Sequence, residues 1–284
     1  MNAITNPNRV PRTTSGTEHY AGSVKLVGAG PGAGDLLTLR ALKAIESADV
    51  IYYDSLVGPD VLDYIKPDTT RVFVGKRKGY SALPQSVIQD RMVRDAKAGK
   101  RVVRLKGGDP FTFGRGGEEL FDLRAQGVSV DVIPGVTAAL AAATEHGIPL
   151  THRDVATSVT FATGHTLTGG LPDLANLVSD KRTLVVYMGV SNAGDIVSQL
   201  LSEGVSRLTP VAVVERASLP GQRHIRTSLA SLVSDLHANA IGSPALLIIG
   251  AVAALDESAL DPSYSHQTQA GPADSFAWVH HPMG

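Results

Sequence analysis

Apolar residues fall along this chain in short runs broken by glycine, proline and charged side chains. Val24 to Val27 is the first run; it ends in the glycine-rich stretch Gly28 to Gly34, after which Leu36, Leu37, Leu39, Leu42 and Ile45 recur near helical spacing. Asp35 stands at the place of an N-cap for that helix. Further strands are predicted at Val50 to Tyr53, stopping at Asp54, at Arg71 to Val74 and at Arg101 to Leu105, with a helix from about Pro84 to Ala98 before the last of them. Ser129 to Ile133 reads as another strand, followed by Pro134-Gly135 and an alanine-rich helix through Ala143. This alternation predicts an α/β domain that closes near Pro134.

After Thr151 the texture changes. Strand-like runs at Ser158 to Thr163, Thr183 to Met188, Val211 to Val214, Arg223 to Thr227 and Ala245 to Ile249 have helices between only some of them, which fits a second, mixed-sheet domain. Residues 1–22 and 257–284 are rich in polar residues, glycine and proline without sustained periodicity, and are expected to be mobile tails. The expected organisation is an N-terminal α/β domain over residues 23–134 and a C-terminal α/β domain, including the connecting helix, over residues 135–256.

Composition narrows the function. The 284 residues, 43% hydrophobic and 19% charged, can bury a substantial core. Twenty-six basic and 27 acidic residues leave a formal charge of −1, so no global field draws the chain to nucleic acid or an anionic membrane. An anionic ligand must be met by a local cluster. The absence of cysteine excludes disulfides, thiolate metal sites and cysteine nucleophiles. Met1 to Ser23 lacks the apolar core of a secretory signal and Pro244 to Leu255 is too short to span a bilayer, so cytoplasmic residence is expected. His146, His152 and His165 have no zinc-protease spacing, and no metal is expected.

Two loops carry candidate chemistry. Gly28-Ala29-Gly30-Pro31-Gly32-Ala33-Gly34 joins a strand to a helix, where missing side chains let a ligand approach the backbone. It contains the G-x-G-x-x-A dinucleotide pattern, with Asp54 closing the next strand where a ribose-binding acid could sit, so a nucleotide-dependent oxidoreductase is one candidate. Pro31 weighs against it by removing a backbone donor from the turn. The second loop runs from Lys106-Gly107-Gly108-Asp109-Pro110 to Gly116-Gly117-Glu118-Glu119. Gly107, Gly108 and Asp109 fit a ligand crevice at strand ends, whereas Glu119 is expected only to cap the following helix. Lys76-Arg77-Lys78 could meet a polyanion or form a solvated charge run.

In one order, the blocks Val27-Gly28-Ala29-Gly30-Pro31-Gly32, Tyr53-Asp54-Ser55-Leu56-Val57, Val74-Gly75-Lys76-Arg77 and Arg104-Leu105-Lys106-Gly107-Gly108-Asp109-Pro110-Phe111 resemble the uroporphyrinogen-III C-methyltransferases. Pro134-Gly135-Val136-Thr137-Ala138-Ala139, Gly147 to Asp154, Thr163-Gly164-His165 and Tyr187-Met188-Gly189 extend the resemblance over roughly residues 23–255. It implies a two-domain tetrapyrrole-methylase α/β fold, usually a homodimer, with S-adenosylmethionine as methyl donor in the interdomain cleft and S-adenosylhomocysteine as product. That outweighs the oxidoreductase.

The resemblance implies cofactor contacts at Pro31, Gly107, Gly108, Asp109, Thr112, Thr137, Ala138, Met188 and Ala217. It implies Asp54 as proton acceptor and Lys76 as proton donor, with Arg115, Glu118, Arg153 and His165 toward the tetrapyrrole. Lys76 could equally pair with a substrate carboxylate. Ala33-Gly34-Asp35 departs from the aspartate that many relatives carry directly after the glycine turn. The implied reaction methylates uroporphyrinogen III twice to give precorrin-2, for sirohaem or cobalamin synthesis; a later corrin precursor is the alternative substrate. The tails are expected to be too short for the dehydrogenase and chelatase module some relatives carry, so the chain is expected to stop at precorrin-2.

Overall fold

The computed structural model describes residues 22–75, 84–166 and 170–255. Five parallel strands, β1 (Ser23–Gly28), β2 (Val50–Tyr53), β3 (Thr70–Phe73), β4 (Arg101–Lys106) and β5 (Val130–Ile133), form a first sheet in the order β3-β2-β4-β1-β5. Parallel strands need crossovers, and the intervening helices cover both faces. On one face α3 (Gln85–Lys97) and α4 (Gly116–Ala125) bury Ile88, Met92 and Leu123 against Val24, Leu26 and Val102. On the other, α1 (Leu39–Glu46) and α2 (Pro59–Asp63) bring Ile45 and Val61 onto Val27, Ile51 and Leu105.

One expectation is corrected here: Asp35 does not cap α1. It lies inside a short 3-10 turn, Gly34–Leu36, and the helix begins later, where Thr38 Oγ1 accepts the Ala41 amide at 3.1 Å. The residues after the glycine turn are used in that 3-10 turn, so the extended residue that can accept a first-turn amide is Thr38.

The second sheet has the order β6-β7-β10-β8-β9, formed by β6 (Ser158–Thr163), β7 (Arg182–Tyr187), β8 (Pro210–Glu215), β9 (Arg223–Ser228) and β10 (Ala245–Ile249). β6 runs parallel to β7 and the other neighbours pair antiparallel, so the sheet is mixed as expected. Its central strands are near-continuous apolar runs because both faces are covered. One face packs on α6 (Ala193–Ser202) and α7 (Leu232–Ala238) through Ile196, Leu200 and Leu236. The other packs on α5 (Ala138–Glu145) through Ala139 and Ala142. Full burial of a side chain such as Leu184 or Leu247 stabilises the fold by about 1.5–3 kcal/mol.

Candidate active site

All parallel strands of the first sheet point their C-terminal ends the same way, so the loops after β1, β4 and β5 gather at one edge. There the two glycine loops pair with each other. Gly108 N donates to Gly30 O at 2.6 Å and Gly30 N returns a bond to Gly108 O at 3.2 Å, with both residues left-handed at φ +68° and +71°. That conformation favours glycine. The third loop is drawn in equally tightly: a Cβ on Gly28 would lie 2.5 Å from Gly135 N. Asp109 ties the loops together. Its Oδ1 accepts from Phe111 N at 2.9 Å and Thr112 Oγ1 at 3.3 Å, and its Oδ2 accepts from Gly135 N at 3.1 Å.

Along β4 the side chains alternate faces, so Val102, Arg104 and Lys106 share the face covered by α3 and α4. That face is apolar at Val102 and charged toward the loop end. On neighbouring β2, Val50 and Tyr52 follow the same alternation into Asp54. Arg104 Nη2 donates to Asp54 Oδ2 at 2.9 Å, and Leu56 N donates to Asp54 Oδ1 at 3.0 Å. The other partner of the buried cations is Glu119 on α4, whose side chain is 0% exposed. Arg104 Nε lies 3.4 Å from its Oε1 and Gln85 Nε2 donates to the same oxygen at 2.5 Å. Lys106 Nζ stands 3.0 Å from Oε2, an ion pair off the line of a hydrogen bond. Burial pushes the Lys106 ammonium below its ordinary range, Arg104 adds to the shift, and Glu119 opposes it.

The expectation that Glu119 only caps a helix is therefore corrected. It does lie in the first turn of α4, but a carboxylate this buried must be paired, and it is paired to β4. The signal was present in the sequence. Period-two reading of Arg101 to Lys106 puts two cations on a face that Val102 marks as buried, which demands a carboxylate opposite.

The second sheet meets this edge through the ends of β7 and β8. Tyr187 Oη shares a 2.6 Å hydrogen bond with Thr137 Oγ1 and accepts from Ala139 N at 3.1 Å, at the start of α5. Its ring lies 4.8 Å from that of Phe113 in the second glycine loop. Burial pushes the Tyr187 phenol up, while the bonds from Thr137 and Ala139 oppose the shift. Met188 follows with φ +55° and a half-exposed side chain. After β8, Ser218 Oγ accepts from Ala33 N at 3.1 Å, linking the first glycine loop to the second sheet. Tyr187 carries no role in the sequence beyond the Tyr187-Met188-Gly189 block, and Ser218 none; their partners Thr137 and Ala33 lie 50 and 185 residues away along the chain.

The expected cofactor residues divide by place. Pro31, Gly107, Gly108, Asp109 and Thr112 lie in the two paired loops, Thr137 and Ala138 at the start of α5, and Met188 and Ala217 at the adjoining ends of the second sheet. A Cβ built on Gly108 would meet Ala138 N and Thr137 Cα at 4.0 Å, ordinary contact distance, so the second glycine loop lies directly against the start of α5. Arg115 and Glu118 are exposed and pair with each other at 2.6 Å. His165 follows β6, whose last residue, Thr163, is in register with Tyr187. Arg153 is exposed in the turn before β6, at the other end of that strand from His165. Lys76 lies outside the described residues. Among the described residues no group of His, Asp or Glu is arranged to hold a metal, and no helix is long and apolar enough to cross a membrane.

The family model for tetrapyrrole (corrin/porphyrin) methylases matches residues 23–233. Among curated proteins, a sirohaem synthase from Chromobacterium violaceum is 49% identical over 245 residues, covering 86% of this chain and 52% of that protein. A sirohaem synthase from Yersinia pestis is 48% identical over 236 residues, covering 83% of this chain and 50% of that protein. The chain thus spans about half the length of these relatives. A uroporphyrin-III C-methyltransferase from Thermus thermophilus, solved in complex with S-adenosylhomocysteine, superposes with a TM-score of 0.70 at 41% identity, over 81% of this chain and 92% of that one. A cobalt precorrin-4 methyltransferase superposes with a TM-score of 0.74 at 28% identity, over 82% and 96%.

Proposed function

This chain belongs to the tetrapyrrole (corrin/porphyrin) methylases, and we propose that it is an S-adenosylmethionine-dependent uroporphyrinogen-III C-methyltransferase. Overall shape does not separate this from a later corrin precursor as substrate, since the precorrin-4 enzyme superposes slightly better. Sequence favours the earlier substrate, at 41% identity against 28%. The observation that carries the methyltransferase reading is the mutual pairing of Gly30 and Gly108 beside the Asp54–Arg104 ion pair. It places the bare backbone of two paired loops near the carboxylate that follows β2.

S-adenosylmethionine supplies an electrophilic methyl group. The chain's own work is to hold the donor and the pyrrole carbon in line, which is chiefly a matter of positioning. Pro31, Gly107, Gly108, Asp109 and Thr112 line one side of the donor's place, while Thr137, Ala138, Met188 and Ala217 line the other. Asp54, with Arg104 on Oδ2 and the Leu56 amide on Oδ1, keeps its carboxylate oriented to accept the proton that the cationic adduct releases once the new carbon–carbon bond has formed. Arg115 and Arg153 are the cations, and His165 the imidazole, assigned to the acetate and propionate arms, with Glu118 holding Arg115. Lys76 is assigned as proton donor or as partner of a substrate carboxylate.

In this proposal residues 23–134 and 135–256 act as two domains around the donor, the enzyme works as a cytoplasmic homodimer, and the product is precorrin-2. The test compares kcat/KM for uroporphyrinogen III with that for a later, already methylated corrin precursor. Preference for uroporphyrinogen III is expected; preference for the later precursor would transfer the assignment to that substrate.

A further inference from the structure

Asp54 and Glu119 come from different elements, yet one arginine touches both. Arg104 faces Asp54 Oδ2 with Nη2 at 2.9 Å, Glu119 Oε1 with Nε at 3.4 Å, and the Leu105 carbonyl with Nη1 at 2.8 Å. Its side chain is 6% exposed. A guanidinium is planar and its donors form a fixed fork, so contacts on separate edges determine its orientation. Glu119 is itself fixed from two directions, by Gln85 of α3 on Oε1 and by Lys106 of β4 on Oε2.

We infer that Glu119 is a positioning residue that orients Asp54 through Arg104. The inference rests on the reading of Asp54 as the proton acceptor. The charges support it. Arg104 and Lys106 are buried cations, and among the described residues Asp54 and Glu119 are the carboxylates paired with them. If Glu119 were neutral, both cations would have Asp54 as their remaining anionic partner, and the arginine would turn toward it with nothing holding its other edge. Asp54 would then be drawn further into the ion pair and away from the alignment that proton transfer requires. Lys106, whose ammonium is disfavoured by burial, depends on the same carboxylate. Mere charge balance would make Glu119 important for folding alone. Its contact with the arginine that grips the reacting carboxylate gives it a second consequence, which folding assays do not detect.

A mutant cycle separates the two. Wild type, Glu119→Gln, Asp54→Asn and the double variant are compared by single-turnover methyl transfer to uroporphyrinogen III, by S-adenosylhomocysteine affinity and by thermal unfolding. Glu119→Gln is expected to slow methyl transfer by about 10- to 100-fold with cofactor affinity unchanged. The double variant is expected to be no slower than Asp54→Asn, because a residue acting through Asp54 has nothing left to orient. Equal slowing by Glu119→Gln in both backgrounds would overturn the inference while leaving the role of Asp54 standing. Asp54→Asn as fast as wild type would remove the proton-acceptor assignment and the inference with it. Should Glu119→Gln fail to fold, Gln85→Leu loosens Glu119 without stranding a charge. It is expected to cost about 3- to 10-fold in the wild-type background and nothing beside Asp54→Asn; an equal cost in both would overturn the inference.

Discussion

The two sheets each have five strands, yet they fill their interiors differently. Around the first, the face under α3 and α4 changes from Val102 to Arg104 and Lys106 within one strand, and Glu119 is buried against both. In the second, Leu184, Val186, Val211, Val213, Leu247 and Ile249 form an apolar interior. Its buried carboxylate, Glu215, sits at the end of β8 and pairs with Arg223. Parallel order explains the division. Loops that all leave one edge can be brought together around a ligand, whereas antiparallel neighbours send successive loops to opposite ends. The first sheet therefore carries the groups assigned to proton transfer, and the second offers a wall through Tyr187, Met188 and Ser218, with Arg153 and His165, assigned to the substrate arms, flanking β6.

The largest expected effect tests that division at its centre. Asp54→Asn should lower the methyl-transfer rate by about 10²- to 10⁴-fold, the scale of a lost general base. Its S-adenosylhomocysteine affinity should hold; calorimetric loss of affinity with unchanged chemistry from the saturated complex would move Asp54 to the cofactor side. Leu247→Ala is the converse. It should cost about 2–5 kcal/mol of stability by chemical denaturation, as a fully buried leucine does, and leave kcat of the folded protein intact. A large drop in kcat at full folding would show that the second sheet is more than a wall.

Asp109→Ala removes the acceptor of three bonds that tie the loops after β4 and β5. Cofactor affinity should weaken by roughly tenfold or more, about 1.4 kcal/mol per decade, and turnover at saturation should suffer less. Tyr187→Phe loses the Thr137 and Ala139 bonds, so about 1 kcal/mol, or roughly fivefold in cofactor affinity, is expected. An unchanged titration would show that the second sheet does not set the start of α5.

The smallest effect concerns pH. Bonds from Arg101 hold the Asp49 carboxyl down from 3.8 to about 2. A carboxyl whose folded value lies below its unfolded one stabilises the fold above the unfolded value and loses that contribution as pH falls through the folded value. Thermal stability should decline between about pH 4 and pH 2, and Asp49→Asn should flatten that part of the profile. Solvent screening keeps the change slight, because the pair is exposed.

Much of the fold was legible because its strands announce themselves locally. Val50-Ile51-Tyr52-Tyr53 and Ala245-Leu246-Leu247-Ile248-Ile249 are apolar runs with turn residues beyond them, and both form strands over those residues. The helix expected from Pro84 to Ala98 forms at Gln85–Lys97. Strand order is not a local property: β4 sits between β2 and β1 because of packing on both faces, and no window of sequence contains that choice. The glycine loops of the site were visible as motifs, but their pairing joins Gly30 to Gly108 across the sheet edge. Asp35 and Glu119 depart from the local expectation for one reason. Neighbouring sequence relates each to its own helix, whereas a 3-10 turn and a strand on another element decide what it touches.

The most direct measurement is mass spectrometry of the tetrapyrrole after the purified chain has turned over uroporphyrinogen III with methyl-deuterated S-adenosylmethionine. The expected product carries two labelled methyl groups on carbon, formed with release of two S-adenosylhomocysteine molecules and without added metal or NAD. Uroporphyrinogen III recovered unlabelled, under conditions where the chain binds S-adenosylhomocysteine, would contradict the assignment.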